Sequence, residues 1–245
     1  MNLAIDIGNT RTKVAVYENN IILNIEIFEQ INFRKKIQNL ISESPQKTNI
    51  ILTSVKNFSQ DDEKWLSEIS NLTVITSKTP LPFINKYATP ETLGIDRRVL
   101  ASGAVLKFPK ENRLVIDAGT CITYDFITAN DEYLGGAISP GINLKYKSLN
   151  DYTDKLPLLA INDKHNLIGD TTSTSIHSGI INSTIFEIEG FIERYTNEYQ
   201  NLTIILTGGD ADFLAKRLKN TIFAYPNFLL ESLITLHQYI IDYDK

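Results

Sequence analysis

The chain has one cysteine, Cys121, so no intrachain disulfide can form and the usual zinc cysteine sets are excluded. Its three histidines, His165, His177 and His237, are scattered, which argues against a histidine metal cluster. No stretch of about 18 apolar residues is available to span a bilayer. Asp6 and Arg11 interrupt the N-terminus where a secretory leader would carry its apolar region. A basic excess is missing too: the net charge of −5 argues against a general nucleic-acid binder. Neither nucleotide loop, G-x-x-x-x-G-K-[ST] or G-x-G-x-x-G, occurs, and G-x-S-x-G is absent as well. The remaining composition, 42% apolar and 22% charged over 245 residues, is that of a soluble globular protein with one large or two small domains, expected in the cytoplasm.

What the chain does have is a repeat. Residues 2–20 (NLAIDIGNTRTKVAVYENN) and 113–131 (RLVIDAGTCITYDFITAND) align without a gap. Leu3/Leu114, Ile5/Ile116, Asp6/Asp117, Gly8/Gly119, Thr12/Thr123 and Asn19/Asn130 are identical. Each copy is an apolar strand, an Asp-x-Gly turn and a second strand. Two such hairpins facing across a cleft would bring two carboxylates and two glycine turns onto one metal-bound triphosphate.

Between the copies, 21–28 reads as a third strand, 33–41 as a helix, 49–55 and 72–76 as buried strands, and DDEKWLSEIS between them as a helix. Pro80, Pro82 and Pro90 make 80–92 a loop, followed by a helix with Ile95, Val99, Ser102 and Leu106 on one face. The polar, proline-containing KFPKENR (107–113) marks a domain boundary, giving halves 1–110 and 111–245. In the second half, 133–142 reads as a strand and a glycine-proline turn. Residues 176–200 read as a helix with Ile181, Ile185, Ile188, Ile192 and Tyr195 along one stripe, a core or subunit-contact face. Residues 202–207 are a buried strand ending at Gly208-Gly209, and ADFLAKRLKN and 227–241 are the last helices. Strands followed by alternating helices and strands point to a mixed sheet with helices against it.

Five places can carry chemistry. Asp6 follows a buried strand and can hold Mg²⁺, while Gly8 and Asn9 let backbone N–H groups approach phosphate and Thr10 adds a hydroxyl. Asp117, Gly119 and Thr120 repeat the pattern. The same residues also suit plain hairpin turns. Lys13 can reach a phosphate or stand solvated on its strand. Gly208 and Gly209, like Gly135-Gly136 with Pro140-Gly141, can admit a nucleotide against backbone or form a simple turn. Asp96, near a helix start, gains from the helix dipole and can accept a proton from an alcohol during phosphoryl transfer; Arg97 can pair with a substrate carboxylate. An N-terminal helix acid beside a surface arginine has the same appearance.

The ordered set of motifs resembles the type III pantothenate kinases, within the superfamily of acetate and sugar kinases, heat-shock ATPases and actin. DIGNT resembles the family's first phosphate motif and DAGT (117–120) its second. NKYATPETLGIDR (85–97) resembles its substrate segment, and GGAISPG (135–141), KLPLL (155–159) and TGGDA (207–211) follow in the family's order. The resemblance implies an α/β fold of duplicated RNase H-like domains, actin-like ATPase in kind, each a mixed sheet flanked by helices, with the active site in the interdomain cleft. It implies phosphorylation of pantothenate by ATP, with Asp96 as general base. Tyr87, Gly94 and Arg97 would line the pantothenate pocket, and Thr172 would be offered to it from the partner subunit. Asp6, Gly8, Asn9, Thr10, Lys13, Gly119, Thr120, Gly208 and Gly209 would serve ATP, and Asp6 and Asp117 the metal ions. Mg²⁺, a monovalent cation (K⁺ or NH₄⁺) and a homodimer are implied as well. Ile95 stands where the family usually has alanine. The residues themselves leave open another small-molecule kinase of the superfamily, a non-catalytic nucleotide-binding relative and an RNase H-like nuclease; the acidic balance disfavours the last.

Overall fold

The computed structural model describes residues 1–42, 47–56, 58–163, 166–219 and 222–243. His165 lies outside them. The chain forms two compact units, Met1–Pro109 with Asn227–Lys245, and Lys110–Pro226. Among the described residues no helix is long and apolar enough to cross a membrane.

The first unit is built on β1 (Asn2–Ile7), β2 (Thr12–Glu18), β3 (Ile21–Phe28), β4 (Asn49–Ser54) and β5 (Asn71–Val74), in the order β3-β2-β1-β4-β5. The hairpin strands β1, β2 and β3 run antiparallel, and β4 and β5 join parallel to β1. Strand period two sends alternate residues to opposite faces. Leu3, Ile5 and Ile7 therefore face one cluster with Phe33 and Ile37 of α1 (Phe33–Ile41) and Leu66 of α2 (Gln60–Ile69). Ala4, Ala15, Tyr17 and Ile51 face another, with Val99 of α3 (Ile95–Lys107) and Leu230, Leu233 and Leu236 of the C-terminal helix. Burial on both faces explains the unbroken apolar run of β1. Residues 80–92 are mostly irregular, as their prolines require, apart from a two-residue strand β6 (Ile84–Asn85) and a 3₁₀ turn at Pro90–Thr92.

The second unit repeats the plan. Strands β7 (Asn112–Ala118), β8 (Cys121–Ile127) and β9 (Glu132–Pro140) are antiparallel, and β10 (Leu202–Thr207) and β11 (Phe223–Ala224) run parallel beyond β7, in the order β11-β10-β7-β8-β9. Reversed, this is the order and the sense of the first sheet. Leu114, Ile116 and Leu206 pack under α4 (Ile142–Asp151), α5 (Thr172–Glu198) and α6 (Ala211–Ala215). The stripe Ile181, Ile185, Ile188 and Ile192 lies in that core. Each such isoleucine contributes about 1.5–3 kcal/mol by leaving water. The α/β class with duplicated mixed sheets and flanking helices is thus what the chain adopts.

Several sequence expectations need correction. The last helix, α7 (Phe228–Tyr243), groups with the first unit rather than with 111–245, because its leucines fill the far face of the β1 sheet. The helix expected over ADFLAKRLKN stops at Ala215, where Arg217 N and Leu218 N both turn back to Leu214 O at 2.8 and 3.1 Å. Helix α4 was not expected at all. Helix α5 starts four residues before 176, because Thr171 and Thr174 cap it reciprocally.

The repeat itself also shifts register. Asp6 stands opposite Lys13, but Asp117 stands opposite Thr123. The second turn is one residue shorter, so Thr123 is the counterpart of Lys13 and not of Thr12.

Candidate active site

In the first unit, the end of β1 carries Asp6, whose side chain is only 8% exposed. Gly8 N closes the turn onto Arg11 O at 3.1 Å and leaves Asn9 and Thr10 exposed at its apex. Burial pushes the Asp6 carboxyl up to about 7; Lys13 across the hairpin pulls it down and Asp96 pushes it further up. Asp6, Lys13 and Asp96 therefore form one electrostatic group within this unit. Asp96 lies in the first turn of α3, and its Oδ1 accepts the Arg97 N–H at 2.8 Å, which fixes its rotamer. Gly94 precedes it at the N-cap; a Cβ there would stand 2.5 Å from Asp96 Oδ1, so a side chain at this position would push the Asp96 carboxyl aside. Arg97 is 6% exposed, with its guanidinium carbon 5.7 Å from the centre of the Tyr87 ring. Ile95 turns toward the apolar cluster of Val99 and α7, so the bulk at this position is taken up by packing.

In the second unit three turns converge. Gly119 N donates to Cys121 O at 2.9 Å, Gly141 N to Thr120 O at 3.0 Å, and Asp210 N to Ala118 O at 3.0 Å. Gly208 has φ +97°, and a Cβ on it would overlap Ala118 O and Asp117 Oδ1. A Cβ on Gly141 would overlap Gly119 O. Gly209 is open, with nothing within 4 Å of a built Cβ. Asp117, Gly119, Thr120, Gly208 and Gly209 are thus brought together. Gly136 lies instead against the Tyr124 backbone and serves sheet packing. Burial raises the Asp210 carboxyl above the usual range. Sequence reading had not singled out Asp210, although its place after a strand-Gly-Gly turn is a usable signal.

Thr172 also belongs to the second unit. It is exposed at the first turn of α5, on the rim of a cavity of about 720 Å³ between α4 and α5 that Leu149, Leu156, Ile176 and Ile180 line. The structure does not group it with Tyr87 and Arg97, which lie in the first unit.

Among the described residues no three histidine, cysteine or acidic side chains gather into a metal cage. The donor set at the first turn instead suits Mg²⁺ held through one or two carboxylates and substrate phosphates, the usual arrangement for that ion. A buried carboxyl near a second acid and one lysine has the charge to be neutralised by such a cation.

Comparison with known proteins identifies the family. Residues 2–194 match the family described as Type III pantothenate kinase. The type III pantothenate kinase of Flavobacterium johnsoniae is 52% identical over 244 residues, spanning 100% of both chains. That of Flavobacterium psychrophilum is 52% identical over 98% of this chain and 99% of its own. Among solved structures, a conserved Baf family protein from Campylobacter jejuni superposes with TM-score 0.66 at 21% identity, over 98% of this chain and 99% of its own. The activator of 2-hydroxyisocaproyl-CoA dehydratase from Clostridium difficile, with bound ADPNP, does so with TM-score 0.57 at 13% identity, over 99% and 96%. These two likenesses concern the fold. With 193 of its residues inside the family match and full-length relatives above half identity, the chain belongs to the type III pantothenate kinases.

Proposed function

We propose that the chain transfers the γ-phosphoryl group of ATP to the primary hydroxyl of pantothenate, giving ADP and 4′-phosphopantothenate, the first step toward coenzyme A. The observation that carries the site assignment is the grouping of Asp96 with Asp6, Gly94, Arg97 and Tyr87 in one unit. Asp96 takes the hydroxyl proton as the oxygen attacks phosphorus and the bond to the leaving ADP oxygen breaks in line. With Oδ1 engaged by Arg97 N, Oδ2 is the atom available for that proton. Arg97 pairs with the pantothenate carboxylate, and Tyr87 and Gly94 line the same pocket.

Asp6, Gly8, Asn9, Thr10 and Lys13 from one turn, and Gly119, Thr120, Gly208 and Gly209 from the other, hold ATP. Asp6 would hold Mg²⁺ together with the substrate phosphates, and the ion when bound would supply neutralisation of the charge developing on them. Asp117 attends the monovalent cation, K⁺ or NH₄⁺. Most of the acceleration on this reading comes from positioning and charge neutralisation. Two copies of the chain associate, and Thr172 of one reaches the pantothenate of the other; its exposure beside an apolar cavity supports that role. The reaction belongs in the cytoplasm, where ATP is made available.

Mass spectrometry of the purified protein with ATP, Mg²⁺, K⁺ and pantothenate, and with each withheld in turn, tests the reaction. Asp96→Asn should lower turnover by about 10²–10⁴-fold with the melting temperature kept. Near-normal phosphopantothenate formation by that variant would refute the general-base role.

A further inference from the structure

Arg98 follows Arg97 in the chain but does something different. Its side chain is buried, 4% exposed, and among the described residues it has no acidic partner within ion-pair distance. Main-chain oxygens surround it instead: Nε donates to Leu93 O at 3.3 Å, Nη1 to Ser77 O at 3.2 Å, and Nη2 makes a short bond to Pro90 O. Taking a cation out of water without a counter-charge is costly, and three carbonyls from one segment are what offsets it. Those carbonyls flank Tyr87 on both sides. The segment between them holds three prolines and has strand structure only at Ile84–Asn85. Arg98 is itself anchored in α3, with its N–H on Gly94 O at 3.1 Å and its own carbonyl accepting Ser102 Oγ at 2.8 Å.

We propose that Arg98 is a positioning residue for pantothenate: it clamps residues 77–93 to the start of α3, so that Tyr87 stays over Arg97 and the acceptor pocket is formed before substrate arrives. The inference rests on the reading of Tyr87 and Arg97 as pantothenate contacts. A planar guanidinium can serve three carbonyls in three directions; an ammonium is a compact point charge and cannot hold that geometry.

Arg98→Lys is the test, read by steady-state kinetics for both substrates. The pantothenate KM should rise by about tenfold or more, since displacement of a positioning group by about an ångström carries penalties of that order. The ATP KM should stay within about twofold, because the phosphate turns are not touched. A purely structural role would not give that split. In a Tyr87→Ala background the same substitution should add nothing further to the pantothenate KM, the mark of two residues acting through one element. Arg98→Gln, which keeps two donors and drops the charge, replaces the lysine variant if the latter does not fold. An active wild type with an unchanged pantothenate KM in Arg98→Lys overturns the inference alone. So do equal losses for both substrates, or additivity with Tyr87→Ala. A wild type that does not phosphorylate pantothenate overturns the functional reading, and the clamp with it.

Discussion

Gly208 and Gly209 are neighbours that should answer the same substitution in opposite ways. Gly208 has φ +97°, and its Cα faces Ala118 O and Asp117 Oδ1 so closely that a methyl group would overlap both. Ala118 O cannot retreat, because Ala118 is paired with Ile122 across the hairpin and its oxygen already accepts Asp210 N, whereas the Asp117 carboxyl would have to turn aside. An L-residue in left-handed backbone costs about 1–2 kcal/mol, and overpacking a fixed site costs about 1–3 kcal/mol. Gly208→Ala should therefore lose roughly 2–5 kcal/mol, a drop in melting temperature of roughly 5–15 °C for a protein of this size. On the proposed role of Asp117 at a monovalent cation, it should also blunt any response to K⁺ or NH₄⁺, because the methyl displaces the Asp117 carboxylate. Gly209→Ala meets open space, so its melting temperature should move by no more than about 2 °C; its effect should fall on the ATP KM. Differential scanning calorimetry of the ligand-free proteins, followed by steady-state kinetics, separates the two. A larger loss of stability in Gly209→Ala than in Gly208→Ala would refute the geometry on which both expectations stand.

Two further predictions concern pH. Burial lifts the Asp6 carboxyl from 3.8 to about 7, so its contribution to stability is complete below pH 3.8 and is lost as pH rises through about 7; Asp6→Asn should melt higher than wild type at pH 8 in EDTA, with the gap closing toward pH 5, while turnover with Mg²⁺ and ATP collapses. His237, hydrogen-bonded through Nδ1 to the Tyr17 hydroxyl at 2.8 Å, has its pKa lowered from 6.5 by burial, so its contribution is present above pH 6.5 and is lost as pH falls through the folded value. His237→Gln should flatten that acid-side loss, as read by urea midpoints between pH 7 and pH 5; an unchanged slope would show that other groups set it.

Local patterns carried most of the fold. The apolar run of β1, its copy at β7 and the isoleucine stripe of α5 each announce an element by period alone, because strand and helix periodicities are properties of single segments. Helix α4 carried the same signal, Ile142, Tyr146 and Leu149 at helical spacing, hidden behind Pro140-Gly141, which reads as a turn and is in fact the helix start. The placement of α7 was not legible. Leu229, Leu230, Leu233, Ile234, Leu236 and Ile240 say that the helix is buried, but which sheet receives them depends on packing between segments far apart in the chain. Arg98 was illegible for the same reason: its partners are main-chain oxygens, which leave no mark on residue identity.

The repeat shows how far letters and geometry can part within one motif. A gapless alignment pairs Thr12 with Thr123, yet the shorter second turn puts Thr123 opposite Asp117, where the first hairpin has Lys13 opposite Asp6. One residue of turn length thus gives the two equivalent aspartates different company. Asp6 is buried, faces a lysine and a second acid, and has exposed Asn9 and Thr10 at the apex of its turn. Asp117 faces a threonine and is held against Gly208, with Gly141 sealing the turn beside it. A carboxyl whose ionised form is disfavoured until a cation arrives suits a metal that enters with the nucleotide. The one beside Gly208 and opposite a threonine is the one proposed to attend a monovalent ion. The duplicated frame supplies two similar hairpins, and the turn lengths give their aspartates different neighbours, which is the physical basis for proposing different ions at the two.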